Sequence, residues 1–493
     1  PLLVSFIIPI VKSVTKYSAM IMAPEEVRYH LEKAVFLAKS GRPGPVWLDI
    51  PLDVQAAKID TAKLKPFNTS EVGSLTEPLS QTKQKIKDII KIIKQSKRPL
   101  LLCGHGVWLS GAQKLFRELV GKLKIPIQTS WNGIDIIEES HPLFFGRHNS
   151  YGPRYANFIV QNCDCLISIG SRLGLQQIGF NYKAFARNAK KIVVDIDPAE
   201  LYKVTIKPDV AFRTDAKIFI EQMLKAVKSS SFKPPDWREW IAWCKNTKLK
   251  YPTCPREHYI KDGYVDPYVF ADTLSDLLSD KALIISGSSG TGFTVTNQVF
   301  KIKKGQRFFT SKGLAAMGYG LPSAIGACIA SGKKETVTIV GDGGFQLNIQ
   351  ELQTIVHNKL PIKMFIYSNN GYLSIRMTQN TYFNRRLVGS SPSSGVSLPE
   401  LKKIALAYGI AYYRITGKGK LVKKIATVLE LKGPIICEVM INPDKPLLPK
   451  LASYKKSNGG MMSRPIEDLA PLLPRDELKQ VMLIKEWEFE EDV

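Results

Sequence analysis

No two of the seven cysteines stand in a C-x-x-C pair. The spacing that builds structural zinc sites is therefore missing. The scattered, odd-numbered set (103, 163, 165, 244, 254, 328 and 437) reads as free thiols in a reducing, cytoplasmic setting. Cys163 and Cys165 fall in a strand-like run and read as core. Long apolar runs are also lacking: no stretch reaches the roughly 18 apolar residues of a membrane helix. The apolar opening over residues 1–8 is too short to span, and it has neither the basic lead nor the small-residue cleavage site of a signal peptide. Blocks of five or six like charges are absent too, although the formal net charge is +25. A nucleic-acid surface needs basic residues gathered on one face, often between aromatics, and these are spread along the whole chain. The charge suits anionic small molecules, and neither nucleic acid nor membrane is expected as a partner.

What is present is a chain of 493 residues, 44% hydrophobic and 23% charged. That length exceeds one core and suggests about three domains. Residues 24–39 have the pattern of an amphipathic helix with proline and acids at its start. A Gly/Pro turn and a strand ending at Pro51 follow, so residues 1–61 read as the tail of one domain. Residues 62–83 carry turn-forming residues without periodicity and read as a linker. Over 84–226, strands at 99–103, 125–127, 165–169 and 191–196 alternate with helices, the signature of a parallel doubly wound sheet. Residues 227–265, rich in Pro, Trp and Lys, read as a connector. The alternation resumes over 266–445, with strands at 282–286, 336–340, 362–367 and 434–440, and 446–493 form a C-terminal extension. The expected class is α/β: two doubly wound parallel sheets, the first in a Rossmann-like central domain.

The chemistry gathers at the ends of two of these strands. The strand at 336–340 runs into Gly341-Asp342-Gly343-Gly344, and the strand at 362–367 runs into Ser368-Asn369-Asn370-Gly371-Tyr372. Ligands of open α/β sheets bind beyond the carboxyl ends of strands. Glycines there let backbone N–H groups approach phosphate, helped by the start of a following helix placed at about 349–357. Mg²⁺ takes one or two protein oxygens plus substrate phosphates. Asp342 offers one oxygen, the Asn369 amide a second, and the Gly371 carbonyl a third.

With these motifs the chain resembles the thiamine diphosphate-dependent enzymes, in particular the acetolactate synthase large-subunit group. The resemblance implies thiamine diphosphate held through Mg²⁺ by Asp342, Asn369 and Gly371, with Gly341, Gly343, Gly344, Tyr372 and Leu373 beside the cofactor. The run Phe309-Thr310-Ser311-Lys312-Gly313 to Met317 also matches, and implies that Met317 props the cofactor into a bent shape, or else fills the core. Gly287 and Ser288 occupy the family's other diphosphate contact, without its usual Gln-His pair. Ser40-Gly41-Arg42-Pro43-Gly44-Pro45 matches the close of the family's pyrimidine-binding domain. No residue of 1–50 takes the part of the family's activating glutamate, since Glu25, Glu26 and Glu32 fall on a solvated helix face. The expectation is a C-terminal portion of a larger enzyme, inactive by itself, with no catalytic residue assigned. The central domain of some members binds FAD. Gly104-His105-Gly106 and Asp195-Ile196-Asp197 make FAD a candidate here, against an empty structural domain, and the family's Met-His-Gly segment is replaced by Gly146-Arg147-His148-Asn149.

The resemblance implies decarboxylation of a 2-keto acid such as pyruvate and ligation to a second carbonyl, in a homodimer or homotetramer. A simple decarboxylase and a non-catalytic cofactor-binding fragment are the alternatives. Thr378 stands where acetolactate synthases carry a pocket-shaping Trp, which opens the acceptor to a keto sugar or another aldehyde. Arg376 reads either as a ligand for the acceptor carboxylate or as an exposed structural arginine. The loop over 381–397 reads as a mobile cover.

Overall fold

A computed structural model describes residues 7–73, 79–229, 232–255, 263–288, 290–311, 313–417, 419–456 and 459–487. The chain starts with a small unit: β1 (Tyr17–Met20), α1 (Val27–Lys39) and β2 (Val46–Asp49), the two strands pairing in parallel. Its helix and strands contribute only Ala34 to the buried set, with Ile21 just beyond β1. Arg42, in the turn before β2, reaches the next domain, with Nη1 2.8 Å from Glu200 Oε1.

Helix α2 (Leu79–Gln95) leads into β3 (Pro99–Cys103), α3 (Gln113–Leu123), β4 (Ile127–Thr129), α4 (Arg154–Asn162), β5 (Cys165–Ile169), β6 (Lys190–Asp195), β7 (Val210–Arg213) and α5 (Ala216–Ser229). All five residues of β3 and of β5 are buried. Strands covered by helices on both faces read as such continuous apolar runs. The strand order is β4-β3-β5-β6-β7, every pair parallel. Helix α6 (Arg238–Lys250), inside the expected connector, packs Trp240 and Cys244 into this same core.

The second sheet holds α7 (Pro267–Leu277), β8 (Leu283–Ser286), β9 (Arg307–Thr310), α8 (Gly320–Ala330), β10 (Thr336–Gly341), α9 (Asp342–Gln346), α10 (Leu352–His357), β11 (Ile362–Ser368), α11 (Leu373–Tyr382), β12 (Ala411–Ile415), α12 (Leu421–Glu430) and β13 (Ile435–Met440). Its order is β12-β13-β11-β10-β8-β9, again all parallel. The chain turns back across this sheet between β8 and β10. That reversal opens a crevice at their carboxyl ends, the usual binding place in such sheets.

The last segment returns to the central domain rather than extending the second sheet. Ile466, Leu478, Val481, Met482 and Ile484 join the core of the first sheet, several of them from α13 (Arg475–Val481) or just beyond it. Buried Glu467 pairs with Arg187 at 2.7 Å. Six of the seven cysteines are buried and all are free. Burial pushes the Cys165 thiol up to about 12, as expected of core thiols without redox duty. Among the described residues no helix is long and apolar enough to cross a membrane.

Candidate active site

Every residue of β10 and β11 is buried, so both strands deliver their ends to one fixed edge. The chain turns helical at Asp342 itself, in a helix of five residues. The helix expected at about 349–357 follows it, as a 3-10 turn over Ile349–Glu351 that runs into α10.

Asp342 is buried. One carboxylate oxygen accepts from the Gly343 amide at 2.8 Å, and the other accepts from the Asn369 amide at 2.8 Å. Burial pushes its carboxyl above the ordinary aspartate range, while amides of Asn369, Gly343, Gly371 and Asn370 pull it back. The Asn369 side chain is 5% exposed, and its Oδ1 has no hydrogen-bond partner. Leaving such an acceptor dry costs about 1–3 kcal/mol, so a cation is the expected partner. Among the described residues no group of three His, Cys, Asp or Glu side chains could hold a metal ion. One carboxylate, one amide oxygen and open room for phosphates is instead the donor set that suits Mg²⁺.

Glycine is required at two points here. Gly371 has φ 128°, and a Cβ there would lie 2.6 Å from Ser390 O. A Cβ on Gly343 would lie 2.5 Å from the Tyr372 ring, which therefore lies against that glycine. A Cβ on Gly344 would meet nothing within 4 Å, which leaves its backbone open toward a ligand. Gly341 ends β10 in extended backbone, and Leu373 is buried at the start of α11. On the other side of the crevice, Gly287 packs against Val340, and Ser288 Oγ donates to Ala316 O. Two residues on, the Gly318 carbonyl accepts from Asn348 Nδ2 at 2.9 Å. These bonds bring the 316–318 loop to the same edge. Met317 is 45% exposed, which removes the core-filling alternative and leaves its side chain free to meet a ligand. Ser289 and Lys312, which belong to these motifs, lie outside the described residues.

One expectation changes. Arg376 is neither exposed nor turned to a substrate: it is buried and donates to the carbonyls of Asn369, Asn370, Ser390 and Pro443. The cover loop is pinned at its middle, where Tyr372 N donates to Ser390 O at 3.0 Å and Ser390 Oγ to Gln379 Oε1 at 2.7 Å. A π-helical turn, Gly290–Val295, follows β8, with Thr291 buried and its Oγ1 unpartnered. The sequence reading passed over that turn, although Gly-Thr-Gly after a strand was its signal. Thr378 is exposed on α11, its hydroxyl bonded back to Ser374 O at 3.1 Å. Glu25 and Glu26 are exposed, while Glu32 accepts from Arg28 and from the Phe67 amide.

In the central domain a cavity of about 870 Å³ opens at the carboxyl ends of β3, β5 and β6, with His105, Gly106, Arg172, Asp195, Lys203 and Gly313 among its lining. A Cβ on Gly104 would lie 2.1 Å from Gly170 O, so the turns after β3 and β5 touch backbone to backbone. Arg147 of the departed segment is buried and donates to Asn297 O and Phe300 O, clasping the two large domains.

A buried Asp–Asn pair and a Gly turn at the reversal point of a doubly wound sheet have the donor chemistry that suits a Mg²⁺-bound diphosphate. Residues 86–223 match the family model described as thiamine pyrophosphate enzyme, central domain, and residues 289–439 match its C-terminal TPP binding domain. The acetolactate synthase large subunit of Cyanidium caldarium is 31% identical over 461 residues, covering 91% of this chain and 75% of the relative. The probable acetolactate synthase large subunit of Methanocaldococcus jannaschii is 33% identical, covering 88% of this chain and 73% of the relative. The isozyme 2 large subunit of Escherichia coli K12 is 30% identical, covering 89% and 76%. The chain belongs to the thiamine pyrophosphate enzymes, and within them to the acetolactate synthase large-subunit family.

Proposed function

We propose that this chain catalyses thiamine diphosphate- and Mg²⁺-dependent carboligation, joining a decarboxylated 2-keto acid, pyruvate for choice, to a second carbonyl compound. The observation that carries the site is Asn369 Oδ1, buried without a partner on the residue whose backbone amide donates to the Asp342 carboxylate. Asp342, Asn369 and the Gly371 carbonyl hold the metal in this reading. The amides after β10 and the Gly287-Ser288 turn face the diphosphate, and Met317 supports the thiazolium side. When bound, the cofactor supplies the electron sink for decarboxylation. The chain's own part is to fix it, orient the keto acid and keep water out. Calorimetry of thiamine diphosphate with Mg²⁺ tests the site: wild type binds and Asp342→Ala does not. Unchanged affinity in the variant would sink the assignment.

Thr378 leaves the acceptor side without a large aromatic ring, which favours an acceptor bulkier than pyruvate, such as a keto sugar or aldehyde. Mass spectrometry of products from pyruvate with a panel of acceptors tests this, and acetolactate as sole product would overturn it. A homodimer or homotetramer fits the large apolar side chains left exposed in the second domain, Leu314, Met317, Leu347, Ile375, Tyr382 and Phe383 among them. Exposed apolar surface of this kind marks interfaces when it is contiguous. Sedimentation as a monomer with saturating cofactor would exclude it. FAD is the candidate occupant of the central-domain cavity, which has the size of a small-molecule site. A flavin absorbance band in the purified chain checks it.

A further inference from the structure

One buried cation at the crevice has no substrate-facing role. Arg376, on α11, is 4% exposed. Its Nη1 donates to Asn370 O at 3.0 Å and Ser390 O at 3.4 Å, and its Nη2 to Asn369 O at 2.8 Å and Pro443 O at 2.9 Å. Burying a guanidinium is costly unless its charge is answered. Here it is answered by carbonyl dipoles from three separate loops, two of those dipoles in the metal-bearing turn itself.

Peptide planarity turns those two contacts into a constraint. In a trans peptide the carbonyl and the following N–H point to opposite sides. Drawing the Asn369 and Asn370 carbonyls to Arg376 therefore sends the Asn370 and Gly371 amides the other way. The Asn369 amide, which opens the same turn, donates to the Asp342 carboxylate at 2.8 Å. The turn's carbonyls thus face a cation and its first amide a carboxylate. The backbone they belong to is left-handed, with φ 58° at Asn370 and 128° at Gly371. Such a conformation costs about 1–3 kcal/mol at a non-glycine residue and persists only where the surroundings enforce it.

We propose that Arg376 is a positioning residue: its guanidinium locks the 369–371 turn against Asp342, so that the turn presents Asn369 and Gly371 to Mg²⁺. The role rests on the magnesium-diphosphate reading of the site. Lysine cannot replace the arginine, because a compact ammonium cannot span four carbonyls as a planar fork does.

The test is a Mg²⁺ titration of thiamine diphosphate binding, by calorimetry, on the full chain, with thermal melting of each apoprotein alongside. Arg376→Lys and Arg376→Met are compared with Lys363→Met. Lys363 is a buried cation in β11, far from the turn, that caps the carbonyls of Leu431 and Gly433. The half-saturating Mg²⁺ concentration should rise about 10- to 100-fold in the Arg376 variants, the usual cost of losing a group that orients metal ligands. Lys363→Met should lose melting temperature and keep the wild-type Mg²⁺ dependence. Should Arg376→Met not fold, Arg376→Lys carries the test. An unchanged Mg²⁺ dependence in folded Arg376→Lys would overturn the proposal, as would an equal rise in Lys363→Met. Failure of the wild-type chain to show any Mg²⁺-dependent binding would instead remove the cofactor site and this role with it.

Discussion

Asp342 and Asn369 behave as one unit, because the amide of the second donates to the carboxylate of the first. Chelating Mg²⁺ should therefore release the cofactor as completely as removing either side chain, a loss that dialysis against EDTA followed by calorimetry would read. In the proposed site metal ligation needs the Asp342 anion, and burial raises its carboxyl above the ordinary aspartate value. Cofactor affinity should accordingly weaken on acidification at a higher pH than a solvated aspartate of about 3.9 would dictate. An affinity that stays flat until that value is reached would contradict the burial argument. Gly343→Ala places a methyl against the Tyr372 ring and should weaken binding while leaving the fold intact, as parallel binding and melting curves would reveal. These residues were legible in the sequence because each sits in a short motif whose chemistry is local. Arg376 was not: its four acceptors lie up to 67 positions away, and no spacing rule reaches them.

At the scale of elements, the buried strands were the most readable parts. β3, β5, β10 and β11 are buried throughout and mostly apolar because helices cover both faces, and the sequence runs show it directly. Helix ends near the site were less readable, since α9 starts on the ligand residue itself and runs only to Gln346. The turns after β3 and β5 meet backbone to backbone in the central domain's crevice. Gly104→Ala would force Gly170 away and should destabilise the chain by about 1–3 kcal/mol or more, the cost of overpacking. Urea unfolding with an unshifted midpoint would show that the turns can separate freely.

For the whole molecule, the last segment closes the central domain, so stability of that domain depends on residues hundreds of positions later. Leu478→Ala should cost about 2–5 kcal/mol as a buried cavity and should loosen the central domain first. Limited proteolysis that cuts the second sheet's loops before those of the central domain would contradict this. By itself the sequence determined the α/β class and the cofactor, and it singled out the Asp342 and Asn369 motifs, because strand burial and short glycine motifs are written in neighbouring residues. Only the tertiary structure decided that Arg376 is a buried clamp, that Met317 is exposed at the crevice, and that the C-terminal segment folds back onto the first sheet. Each of those depends on which distant backbone carbonyl or apolar surface a side chain finds, and that partner is set by strand order and packing rather than by nearness along the chain.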